Sequence, residues 1–258
     1  RFPKFNKAKK IYSFEKSKYL KKIQKKKFKK KEVKWINDVK EIEGGPVIFF
    51  GNEFFDAIPI KQFKKNKNSF AEKNYTLDKN DKIKQIFKKA SASNVKILKS
   101  YKTLRKLKFI EFPKLGFEEL EKIVKKINKL KGCILLIDYG YLIPSNQDTL
   151  QSVMKHKKNN ILSNLGKADV TAHVNFSLLK EFFSKNNLKI KNLITQKDFL
   201  ENMGILERAK ILSEKMKFTD QSDLYYRLQR LLNPKQMGQL FKVILAYKFN
   251  KNDFAGFK

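Results

Sequence analysis

At 258 residues, with 41% apolar and 13% aromatic content, the chain can bury a sizeable core as one large domain, which excludes a disordered polypeptide. Its formal charge of +34, from 59 basic against 25 acidic residues, would ordinarily point to nucleic acid or an anionic membrane. Only five of the basic residues are arginine, however, and the other 54 are lysine, which shares A/T-rich codons with the abundant asparagine, isoleucine and phenylalanine, so no specific nucleic-acid partner is expected. No run of eighteen apolar residues and no apolar leader occurs, so no membrane span is expected. The lone Cys133, inside the apolar run "CILLI", rules out an internal disulfide, suits a reducing compartment and reads as a small core residue.

In chain order, "KIYSFE" (Lys10–Glu15) reads as a short strand ending in an acid, and Ser17 then caps an amphipathic helix carrying Tyr19, Leu20, Ile23 and Phe28. The run "LKKIQKKKFKKK" (Leu20–Lys31) is a lysine-coated, solvated helix or, on the alternative reading, a basic nucleic-acid surface. "EVKWIND" and "GPVIFFGNE" give two more strands, the second apolar enough to be expected buried on both faces. "SFAEKNYTL" and "KIKQIFKK" look extended and polar-faced, a meander inserted before the next crossover. Helical spacing returns at "GFEELEKIVKKINKLKG", with acids in its first turn, lysines in its last and Gly132 as its stop, and it feeds the buried strand "CILLIDYG" (Cys133–Gly140). The final third adds "DVTAHVNF", a helix near Ser177–Lys185, a strand "LKIKNLI" and three helical stretches through Tyr247. Strands alternating with helices predict an α/β fold with a parallel sheet and its ligands at the carboxyl ends of the strands.

Three strand ends carry acids or amides: Glu15, then Asn52 with Glu53, then Asp138. In a doubly wound sheet an acid after the second strand suits the two adjacent hydroxyls of a ribose, which makes Glu15 a candidate, although a strand-end acid facing water or a lysine explains it equally. Asp38, after "KWIN", stands in the same position. In "NEFFD", Asn52 offers a carbonyl and an amide, Glu53 and Asp56 offer carboxylates, and Phe54 and Phe55 offer flat walls, an inventory suited to orienting a substrate nitrogen. The competing reading makes Asn52 and Asp56 turn caps and the phenylalanines core. His156 and His173 lie too far apart, with no cysteine cluster, for a metal to be expected, and no "GxSxG" elbow suggests a hydrolase.

Taken together, "NEFFDAIPIKQF" (Asn52–Phe63), "LLIDYG" (Leu135–Gly140), "DTLQSVMKHK" (Asp148–Lys157), "ADVTAHVNF" (Ala168–Phe176), "TQKDFLENMGILERAKIL" (Thr195–Leu212) and "PKQMGQLFKVI" (Pro234–Ile244) resemble, in order, the MidA family of class I S-adenosylmethionine-dependent methyltransferases, which includes the mitochondrial complex I assembly arginine methyltransferase. The resemblance implies S-adenosyl-L-methionine as cofactor and N-methylation of a protein, arginine being the acceptor and a complex I subunit the partner, in a bacterial cytoplasm or, in a eukaryote, the mitochondrial matrix. It puts Glu15 on the cofactor ribose and Asp38 near the adenine. Asn52, Glu53 and Asp56 then face the methyl group, Asn52 shared with the cofactor side, and Phe54, Phe55, Asp138, Tyr139 and His173 line the substrate side. Asn175 replaces the usual aspartate of the "TAHVDF" block. The implied fold is one Rossmann-like methyltransferase domain over 1–258, with a sheet core at 1–60 and 115–195, an insertion at 61–114 and a helical addition at 196–247. The first strand and its glycine-rich loop have no counterpart, and Gly44 and Gly45 precede a strand where a strand-to-helix turn is needed. With Arg1 in place of methionine, the expectation is a partial copy of a complete enzyme. The alternatives are a basic nucleic-acid-binding or RNA-modifying protein and a non-catalytic assembly factor.

Overall fold

The computed structural model describes residues 3–28, 33–67, 69–250 and 253–258. Lys29–Lys31, the end of the lysine run, fall outside the described residues. After a short helix α1 (Pro3–Ala8) come β1 (Ile11–Phe14), α2 (Lys18–Lys27), β2 (Val33–Ile36) and β3 (Val47–Asn52). The Ser17 hydroxyl accepts the Leu20 N–H and so opens α2 as the sequence predicts. β1 and β2 pair in parallel as a separate two-stranded sheet.

Strands β4 (Lys61–Asn66), β5 (Ser69–Leu77) and β6 (Ile83–Lys89), helix α3 (Ala92–Ser100) and strand β7 (Phe109–Phe112) follow. These four strands form their own antiparallel sheet in the order β6-β5-β4-β7. Helix α4 (Lys114–Leu130) buries Phe117, Leu120, Ile123, Val124 and Ile127, one apolar stripe at helical spacing. The helix starts two residues before Gly116, so the glutamates lie beyond its first turn, and its left-handed terminator is Lys131 at φ 61°.

Gly132 instead begins β8 (Gly132–Tyr141), the buried strand to which the central sheet is fitted. β3 runs parallel to it through Gly132–Ile137, and β12 (Val174–Asn175) is parallel to Gly140 and Tyr141. A Cβ on Gly132 would lie 1.8 Å from the Val47 carbonyl oxygen, and one on Gly140 would lie 2.1 Å from that of Val174. Two glycines thus let two parallel neighbours approach one strand. Between β8 and β12 lies a small sheet of β9 (Gln151–Met154), β10 (Lys157–Asn159) and β11 (Asp169–Thr171).

Helix α5 (Phe176–Lys185) leads to β13 (Lys189–Ile190) and β14 (Ile194–Thr195), then to α6 (Gln196–Asn202), α7 (Ile205–Ser213), α8 (Phe218–Leu232) and α9 (Met237–Leu240). The reading of helix through Tyr247 is corrected here: Phe241–Tyr247 is strand β15, antiparallel to β8 from Tyr139 to Cys133. Its run "FKVILAY" is apolar on both faces, and such a run carries neither a helical nor a strand period. The central sheet is therefore mixed rather than parallel. A second correction concerns β3: Val47 is buried, but Ile48 and Phe50 are 70% and 66% exposed, because among the described residues β3 pairs only with β8 and nothing covers that face.

The core joins these layers through aromatic rings. Phe117 of α4 stacks on Phe182 of α5 at 4.5 Å and meets Phe112 of β7 edge-on at 5.3 Å and Phe55 at 6.0 Å. The two-stranded sheet is fastened to α4 by the Lys16–Glu119 ion pair at 2.8 Å and by Lys126 Nζ, which donates to the carbonyls of Lys40 and Ile42. Gly140→Ala is expected to cost about 1 to 3 kcal/mol of stability, because its methyl collides with backbone that cannot rotate away. Urea unfolding of the variant checks this, and wild-type stability would contradict it.

Candidate active site

The loop after β3 is held from β8. Asp138, 2% exposed, accepts the N–H groups of Phe55 at 2.8 Å and Asp56 at 3.2 Å on one oxygen and that of Tyr139 at 2.9 Å on the other. The Glu53 N–H continues the ladder to the Ile137 carbonyl at 2.9 Å, and Glu53 itself turns the chain at φ 48°. The acid in "LLIDYG" is therefore sealed inside, holding the "NEFFD" loop in place through backbone donors, rather than standing open to a substrate.

The loop splits its residues. Asn52 and Glu53 are exposed, with the Asn52 amide 3.4 Å from a Glu53 carboxylate oxygen. Phe54 is half-buried, whereas Phe55 packs in the core on Phe117 and Asp56 is 6% exposed. The Asp56 side chain takes the Tyr139 hydroxyl, and among the described residues its Oδ1 has no hydrogen-bond partner. Tyr139 also meets the His173 ring edge-on at 5.4 Å. The structure so gathers Asn52, Glu53, Asp56, Asp138, Tyr139 and His173 at one end of β8.

Burial, and next the charge of Asp56, push the Asp138 carboxyl up to about 7 against the pull of its three N–H donors. Burial, then Asp56, also raises the Tyr139 phenol, so it stays a donor at neutral pH. His173 is lowered by burial, with Lys242 acting in the same direction and Glu111 against, which favours the neutral imidazole.

Glu15 and Asp38 stand apart, on the two-stranded sheet. Glu15 follows β1, half-buried, accepting the Ser17 N–H at 2.8 Å and the Gln24 amide at 3.4 Å. Asp38 caps the short turn Val39–Glu41 in a reciprocal capping box, a role the sequence reading did not weigh for it. Asn175 explains its own departure from aspartate: its carbonyl caps α5 through the Leu178 N–H at 3.0 Å, a job that needs no charge, and its side chain also bonds Tyr141.

Sequence reading missed Glu111. It is 8% exposed at the end of β7, accepting the Gln62 amide at 2.8 Å and both the N–H and hydroxyl of Thr149. The available signal was a single acid in the apolar strand "FIEF" ahead of Pro113.

Between roughly pH 4 and 7 the folded chain keeps a proton on Asp138 that an unfolded aspartate has lost, so stability from this group falls as pH rises through that window. Asp138→Asn is expected to flatten the profile by on the order of 3 kcal/mol. Urea unfolding at pH 4.5 and 7.5 checks it, and equal pH profiles would contradict it.

The comparisons with known proteins agree with this architecture. Residues 1–194 match the family described as "Putative S-adenosyl-L-methionine-dependent methyltransferase". The chain is 30% identical over 215 residues to protein arginine methyltransferase NDUFAF7, mitochondrial, of Xenopus laevis and 27% over 212 residues to that of Homo sapiens, covering 81% of this chain in each case and 48% and 47% of those proteins. The chain thus spans about half the length of the curated relatives it matches. A COG1565 superfamily protein from Burkholderia thailandensis has the same fold, with a TM-score of 0.78 at 21% identity over 96% of this chain and 68% of that one. Another structure of a COG1565 superfamily member from that organism, bound to S-adenosyl-homocysteine, matches at 0.77 and 20% identity, over 96% and 66%. With three quarters of its length matched to the family and the fold shared with these structures, the chain belongs to the S-adenosyl-L-methionine-dependent methyltransferase family that this description names.

Proposed function

We propose that this chain carries the ribose and acceptor sides of a protein N-methyltransferase whose acceptor is arginine and whose donor is S-adenosylmethionine. The names of its relatives support arginine, and the family resemblance supports a respiratory complex I type subunit as partner and the mitochondrial matrix, or a bacterial cytoplasm, as place of action. The observation that carries the reading is the loop Asn52–Asp56, which exposes an amide and a carboxylate at the carboxyl end of a strand while Asp138 holds its backbone.

Glu15 fits a ribose. Its oxygens follow a strand, carry one short and one long hydrogen bond among the described residues, and with four lone-pair sites have acceptor capacity for two adjacent hydroxyls. A cradle for the methionine portion is not offered by Gly44 and Gly45: Gly45 lies against Leu130, where a Cβ would stand 2.5 Å from the carbonyl oxygen, so its role is packing. The donor, when bound, supplies an electrophilic sulfonium methyl. Asn52 can orient the acceptor nitrogen through its carbonyl, and Glu53 can share the positive charge that a guanidinium keeps through attack. Holding the reacting atoms about 3 to 3.5 Å apart can remove several kcal/mol of barrier. Asp56, buried, serves the loop and Tyr139 first.

In a protein joining this chain to a working cofactor loop, Glu53→Gln is expected to cut methylation of arginine peptides at least about tenfold at unchanged melting temperature, the size of one charged hydrogen bond. Asp56→Asn lowers both, because that carboxylate is sealed in the fold. Single-turnover assays beside thermal melts decide. Unchanged turnover in both variants would make "NEFFD" architecture alone.

A further inference from the structure

A second polar cluster lies beyond the Asn52–Asp56 loop, where the four-stranded sheet meets the loops around β9 and β11. Gln62 of β4 donates through one nitrogen to Glu111 and to Asp148, at 2.8 and 2.6 Å, and Asp148 also receives Lys73 at 3.1 Å. Glu111 takes the Thr149 N–H at 3.0 Å on one oxygen and the Thr149 hydroxyl on the other. The same hydroxyl oxygen accepts the backbone N–H of His173 at 3.0 Å. A void of about 20 Å³, room for one water, separates Glu111, His173, Asn175 and Phe55. Each donor and acceptor in this chain is thereby fixed by the next, and its last member stands edge-on to Tyr139, whose hydroxyl reaches Asp56.

We propose that Glu111 is a positioning residue of the acceptor side, setting through Thr149 where the His173 imidazole stands against Tyr139. This assignment rests on the methyltransferase reading for its purpose but not for its geometry. Removing the Thr149 hydroxyl deprives His173 N–H of its acceptor and Glu111 of a donor, while a serine retains both. The four-stranded sheet, which supplies Gln62 and Glu111, then belongs to the acceptor side of the site as much as the strand-end loop does.

The chain has only two histidines, and His156 is exposed, so the imidazole signals of the 258-residue protein can be assigned and one serves as reference. The ring protons of His173 are expected to be displaced by the Tyr139 ring in the wild type and in Thr149→Ser. In Thr149→Val and Glu111→Gln they are expected to move toward the His156 values. A His173 signal unmoved in both latter variants would overturn the proposal, and no cofactor or acceptor is needed to see it. In the donor-competent protein, Thr149→Val should lower kcat about tenfold, as a small misplacement can, with S-adenosylhomocysteine affinity unchanged, and Thr149→Ser should restore it. Equal kcat in the two Thr149 variants would overturn the positioning role even if methylation itself stands.

Discussion

A carboxylate enclosed in a sheet must be answered by donors or stay protonated, and Asp138 does some of each. Its three donors are the amides of Phe55, Asp56 and Tyr139, so the acid of one strand dictates the backbone of the loop that leaves the neighbouring strand. Asn52 and Glu53 owe their exposed position at the end of β3 to that attachment. The loop thus stands on a backbone fixed by a buried acid, with Phe55 packed on Phe117 of α4 beneath it.

The rest of the architecture feeds the same end of the molecule. Gly132 and Gly140 bracket β8 and admit β3 and β12 as close parallel neighbours, which brings the His173 segment beside Tyr139. The four-stranded sheet reaches the site by two routes: apolar, where Phe112 meets Phe117 in the core, and polar, where Gln62 and Glu111 meet Thr149. α6 to α9 cover the far side through β14 and β15, and the α7–α8 pair leaves Ile211, Phe218, Tyr225 and Tyr226 exposed.

Much of this was legible in the sequence, for physical reasons that can be named. The Ser17 cap, the apolar stripe of α4 and the extended segments of the four-stranded sheet each carry a period or a cap that local chemistry enforces. Phe241–Tyr247 was illegible because a strand buried on both faces has no alternation, and it reads as helix when helices precede it. The exposed face of β3 was illegible because burial belongs to neighbours, not to the strand. In the site, sequence named Asp138 and Tyr139 but could not tell a fastening acid from an open one, since both end an apolar run. Glu111 lay hidden because its partners, Gln62 and Thr149, are remote in the chain.

The proposal turns on the ends of β1 and β3 serving one reaction, Glu15 toward the donor's ribose and the Asn52–Asp56 loop toward its methyl group. Hydrogen exchange of the donor-competent protein, this chain joined to a working cofactor loop, with and without S-adenosylhomocysteine tests it most directly, because it reports backbone amides across the whole molecule. The account predicts slowed exchange at Glu15–Ser17 and at Glu53–Asp56. Protection confined to the four-stranded sheet or to α6–α9, or absent from both strand ends, would contradict it.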